Sequence, residues 1–199
     1  APLPGQYRAI LGVAVALAVA AALLAAFVRI RARRPLRYTL IASAVGVAAA
    51  YALAIRTGNV DQDLVEQFHF VQYGAVTFLF YRAWRWMDDG TSLILPLCAG
   101  AIVGVADETF QWFVPSRVGE LHDVLINVVA SASGVLFSAG LEPPATFVPA
   151  GDRARRSRLA GAAAVTVLAV AAFVDAVHLG HEIRDPGTVF RSRYSPEEL

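Results

Sequence analysis

Six stretches of this chain, residues 9–30, 38–55, 64–83, 93–114, 121–141 and 159–179, stay apolar for long enough to cross a bilayer. A spanning helix needs about 20 mostly apolar residues to cover about 30 Å of hydrocarbon, and in lipid only helices and closed barrels satisfy every backbone group. The expected fold is therefore all-α, a polytopic membrane bundle of about six transmembrane helices forming one domain over residues 1–199. Composition agrees with that reading. The chain is 57% hydrophobic and 17% charged, against about 45–50% and about 25% in soluble domains, so an ordinary water-soluble enzyme domain is excluded. The first stretch exceeds the apolar core of a secretory signal, about 7–15 residues, and reads as an anchor helix.

All 17 basic residues are Arg, and positively charged loops stay cytoplasmic. Arg29, Arg31, Arg33, Arg34, Arg37, Arg82, Arg85, Arg153, Arg155, Arg156 and Arg158 fall in the odd-numbered loops. Arg8, Arg56, Arg117, Arg184, Arg191 and Arg193 fall on the other side. Both termini are thus expected to be extracytoplasmic. The Arg-only, Ala-rich composition reads as a GC-rich bacterial genome, which places the chain in a bacterial cell (inner) membrane. A net charge of +1 supplies no basic field for nucleic acid. The single Cys98 builds neither a disulfide framework nor a thiolate metal site. Segment 142–157 is expected as a turn-rich cytoplasmic loop, and the tail 180–199 as an irregular extracytoplasmic one.

The third, fourth and fifth stretches carry carboxylates, His, Gln and Asn, while the first, second and sixth are almost purely apolar. At helical spacing Glu66, His69 and Tyr73 share one face within about 60°. Gly100, Gly104, Asp107 and Gln111 do the same, with Glu108 beside them, and Asp123, Asn127, Ser131 and Gly134 share a face within about 80°. Gly100-x-x-x-Gly104 and Ala130-x-x-x-Gly134 are small faces that let helices approach closely in lipid. Each runs into the polar face of its own helix, so the polar groups are expected to point inward. All lie within about two turns of the outer interface, at a rise of about 1.5 Å per residue. A lone Asp–Asn or His–Tyr pair would read as a hydrogen-bonded clamp, and Tyr73 alone as a packing residue. Groups from three helices at one depth read as a site. Four carboxylates there require a proton, a cation or a cationic ligand among them, and a carboxyl beside a His is the material of acid–base chemistry.

Other signals read more plainly. Trp84, Trp86, Trp112 and Phe113 are expected in an interfacial belt, and Cys98 as a small core hydrophobe. Asp175, His178, His181 and Glu182 gather near the end of the sixth stretch, but without a His-Glu-x-x-His pattern they read as a solvated helix end, not a metal site. No glycine loop for a phosphate and no nucleophilic serine elbow is present, so no cofactor is implied.

Taken in order, Glu66-x-x-His69-x-x-Gln72-Tyr73, Asp107-Glu108-x-x-Gln111, Pro115-x-Arg117, Asp123-x-x-x-Asn127 and Gly134 resemble the signature of the VanZ-like family, bacterial integral membrane proteins named for a teicoplanin-resistance factor. The resemblance covers residues 61–140, with segments 9–55 and 159–179 as flanking apolar helices. Ala130 stands where the pattern has Gly. The resemblance implies a membrane protein linked to the cell envelope or to glycopeptide susceptibility, and it assigns no reaction. Glu66, His69, Tyr73, Asp107, Glu108, Gln111, Arg117, Asp123 and Asn127 are the candidate site, in catalysis or binding. Two functions compete: a site for an envelope lipid or glycan, with Arg117 holding its anionic group, and an accessory subunit of a larger membrane complex. A transporter is disfavoured because the charges collect at one end.

Overall fold

The computed structural model describes residues 5–56, 58–114, 120–185 and 188–198. The chain is 78% helical. Its elements are α1 (Gly5–Arg29), α2 (Arg34–Ala54), α3 (Val60–Trp84), α4 (Thr91–Trp112), α5 (Leu121–Leu141) and α6 (Arg153–His178), followed by β1 (His181–Asp185) and β2 (Thr188–Ser192). Five of the six helices are long and apolar enough to cross a membrane. α3 is long enough, at about 37 Å by the helical rise, but Asp61, Asp63 and Glu66 crowd its first two turns. It nevertheless packs along α4 and α5 inside the bundle.

The helix starts follow from local chemistry. The Asn59 side chain accepts the Asp61 amide at 3.0 Å, which caps α3, and Asp61 and Asp63 place negative charge at the positive end of its dipole. Asp152 caps α6 by accepting the Arg155 amide at 2.9 Å. Before α4, Asp88 takes a left-handed conformation and the Asp89 carboxylate accepts the Thr91 amide at 2.7 Å. The Arg85 guanidinium, 2.6 Å away, and the Ala145 amide hold the exposed Asp88 carboxyl below the usual carboxylate range.

α5 is the hub of the bundle, in contact with α2, α3 and α4. In its apolar window 67% of residues are buried, against 6% in α1 and in α6. Small residues make this approach possible: a Cβ placed on Gly134 would lie 3.0 Å from the Gly74 backbone of α3, inside ordinary contact distance. α3 and α5 run parallel. His69 meets Asn127 near their starts, and Tyr81 meets the Glu142 carbonyl near their ends. Ala26, Ile30, Ile41 and Leu141 join α1 and α2 to the end of α5. Phe173 seats α6 on Val105 and Val124.

The two ends of the bundle differ in character. At the end where α5 finishes, Glu142 faces Arg82 at 2.8 Å and Arg29 at 3.6 Å, and Arg37 donates to the Gly140 carbonyl at 2.9 Å. Asp89, only 3% exposed, accepts the Ala150 amide at 3.1 Å and pairs with Arg155, fastening loop 142–152 under α4. At the opposite end lie the starts of α3 and α5 and the end of α4. Arg8 of α1 pairs there with Asp61 at 2.5 Å, and the C-terminal segment docks there too, so the first and last described residues share one side of the bundle.

That C-terminal segment departs from expectation. Instead of an irregular tail, β1 and β2 form an antiparallel hairpin with Ile183 opposite Phe190. It rests on the end of α4: Gly180 sits against the Trp112 indole, the Tyr194 hydroxyl donates to the Phe113 carbonyl at 2.8 Å, and the Arg193 guanidinium lies 4.2 Å over the Phe113 ring. Trp112 is consequently buried, at 7% exposure, and is not part of an interfacial belt. Trp86 and Phe113 stay exposed, and Cys98 is half-buried.

Candidate functional site

The polar stripes of α3, α4 and α5 meet at the end shared by the first and last described residues. His69 Nδ1 lies 2.8 Å from Asn127 Oδ1, joining α3 to α5. One turn on, the Tyr73 hydroxyl donates to Asp107 Oδ2 at 3.1 Å, joining α3 to α4. The His69 and Tyr73 rings stack with centroids 6.0 Å apart and planes at 29°. Glu108 is fully buried. Its Oε1 accepts Gln111 Nε2 at 2.9 Å and its Oε2 accepts the Glu120 backbone amide at 3.2 Å, binding α4 to the residue that opens α5. A buried carboxylate with both oxygens in hydrogen bonds is a stable arrangement, and one left bare is not.

The remaining carboxylates complete the cluster. Asp123 lies in electrostatic range of Glu108 and of Tyr73. Glu66 is buried and, with Asp123, acts electrostatically on Tyr51 of α2. Two guanidinium groups at this end pair outside the cluster, Arg8 with Asp61 and Arg56 with Asp63 at 3.5 Å. His69, Tyr73, Asp107, Glu108, Gln111 and Asn127 therefore come together through hydrogen bonds and ring contact, with Asp123 four residues before Asn127 on α5 and the buried Glu66 three residues before His69 on α3. Arg117 lies outside the described residues. Among the described residues, no group of three or more His, Cys, Asp or Glu side chains is placed to hold a metal ion.

Glycine sets the geometry of the contact between α4 and α5. A Cβ on Gly104 would lie 2.8 Å from the Asn127 Cβ, so a larger residue would part the helices where the amide meets His69. Neutral polar groups continue inward from the cluster. Thr77 and Ser131 face Gly100, and Ser138 returns its hydroxyl to the Gly134 carbonyl at 2.6 Å. Sequence reasoning found the three stripes because helical periodicity is local. It missed the Glu120 amide, which has no side-chain signature.

A family model described as VanZ/LLP1 matches residues 56–141, the span that holds α3, α4, α5 and every residue of the cluster. No curated protein and no solved structure matches the chain.

Proposed function

For this multi-pass membrane protein, whose residues 56–141 are a VanZ/LLP1 family domain, we propose a site that binds or processes a polar lipid or glycan intermediate of the cell envelope, within the extracytoplasmic leaflet of a bacterial inner membrane. The observation that carries this reading is the convergence of His69–Asn127, Tyr73–Asp107 and Glu108–Gln111 from three helices at one end of the bundle. His69, near Glu66, moves a proton to or from the ligand. Asp107, Glu108, Asp123 and Asn127 orient its hydroxyl and amide groups, Tyr73 and Gln111 fix Asp107 and Glu108, and Arg117 receives a phosphate or carboxylate. The orientation rests on the concentration of Arg at the opposite end, which the positive-inside rule assigns to the cytoplasm.

One set of cell experiments tests both parts. The double variant H69A/E108A is expected to abolish the chain's effect on glycopeptide susceptibility and on outer-leaflet envelope intermediates at unchanged membrane levels, and full activity in that variant would reject the site. With Cys98 replaced by Ala, an impermeant thiol reagent on intact cells is expected to label S195C and to leave S157C untouched, and the reverse would invert the orientation.

A second reading draws on Glu108, whose two oxygens both bond within the protein. In that reading the cluster is a clamp in an accessory subunit of a larger membrane complex. A stable lone monomer with a water-accessible cluster would argue against it.

A further inference from the structure

Three polar atoms just inside the cluster have no hydrogen-bond partner among the described residues: Asn127 Nδ2, Ser131 Oγ and Thr77 Oγ1. All three residues are fully buried, at 0% exposure. They are also neighbours. Asn127 and Ser131 occupy successive turns of α5. A Cβ on Gly100 would touch Ser131 Oγ and would lie 2.9 Å from Thr77 Oγ1, while a Cβ on Gly104 would lie 3.3 Å from Asn127 Nδ2. Two donor–acceptor hydroxyls and an amide donor thus line one seam between α3 and α5, on the glycine face of α4. Buried polar groups in proteins are satisfied by protein or by ordered water, and a buried water characteristically takes about three such partners.

We propose that this seam holds ordered water bound by Asn127 Nδ2, Ser131 Oγ and Thr77 Oγ1, and that the water fixes the tautomer of His69. The inference deepens, and rests on, the reading of His69 as the site's proton carrier. The logic runs through the Asn127 amide. With Nδ2 donating to the water, Oδ1 faces His69 and can only accept, so the neutral ring must carry its proton on Nδ1. Its lone pair is then on Nε2, the nitrogen turned away from Asn127. Without the water the amide gains nothing from this orientation over the flipped one, and the ring loses its preference. Thr77, Ser131 and Asn127 are positioning residues here, acting on the ligand only through His69.

The test is nitrogen NMR of the full-length protein in nanodiscs with 15N-labelled His and Asn, the His69 signals assigned by their loss in H69Q. Wild type is expected to show the neutral ring protonated on Nδ1 and magnetisation transfer from water to the Asn127 side-chain amide. The double variant T77V/S131A is expected to lose the water transfer and to give a mixture of tautomers, and T77S, which keeps a hydroxyl, to retain the wild-type pattern. Protonation on Nε2 in wild type, or a pattern that T77V/S131A leaves untouched, would overturn the proposal. The readout involves no activity. The expected tautomer in a protein whose H69A/E108A variant stays fully active would sink the functional reading alone.

Discussion

Replacing Asp89 by alanine is expected to lower the unfolding free energy by about 2–3 kcal/mol, the cost of removing a nearly inaccessible carboxylate from its hydrogen bonds and from a partly buried ion pair. That is a large share of the roughly 5–15 kcal/mol that holds a domain together. The carboxylate is nearly inaccessible and serves three elements at once, accepting the Thr91 amide that opens α4 and the Ala150 amide of the loop, and pairing with Arg155 of α6. Alanine would leave a half-buried guanidinium with the Met87 carbonyl at 3.2 Å and Asp152 at 3.3 Å, and would leave the Thr91 amide without its acceptor. Thermal unfolding in micelles checks this, with D88A, which removes an exposed carboxylate, as the control expected to lose far less. An Asp89→Ala protein as stable as the control would show that the bundle end near loop 142–152 is not held as described.

Gly104→Val is expected to cost about 1–3 kcal/mol by overpacking and, with it, to disperse the cluster. The added Cβ would collide with the Asn127 side chain, and the two γ-methyls have nowhere to go on a helix face already in contact with α5. The helices must separate or Asn127 must turn, and either movement breaks its contact with His69. Two measurements should therefore move together, the unfolding midpoint down and the effect on envelope intermediates towards zero. Gly161→Val on α6, where a Cβ would meet nothing within 4 Å, is the matched control. Loss of stability with full retention of function would separate the helix contact from the site.

The bundle and the cluster were legible in the sequence to different depths. Apolar runs of spanning length announced the helices because bilayer thickness sets that length. The inward direction of Asp107 and Asn127 followed from small residues on the same faces, since two helices that touch through glycine must bury what lies beside it. Other features depended on partners remote in sequence. Arg155 read as a charge that orients the chain, yet its structural role comes from Asp89, more than 60 residues earlier. The C-terminal hairpin carried a readable sign, a Pro-Gly dipeptide between segments bearing Ile183 and Phe190, a turn composition between alternating residues. Those residues read as an irregular tail because Pro186, Gly187 and Pro196 are loop composition, and a two-stranded ribbon is marginal alone. What steadies it is the end of α4, through Trp112 and Phe113. Thr77 drew no notice and Ser131 only as one member of a stripe, as hydroxyls on a membrane helix commonly bond their own backbone. Only the facing of α3 and α5 across Gly100 makes them a group.

Coupling between His69 and Asn127 tests the central claim most directly. In a double-mutant cycle of H69A, N127A and H69A/N127A, followed by reversible unfolding in mixed micelles, two residues in contact across α3 and α5 are expected to show an interaction energy of about 0.5–3 kcal/mol. Strictly additive losses would mean that the imidazole and the amide never meet, and that the polar faces of α3 and α5 do not share a site.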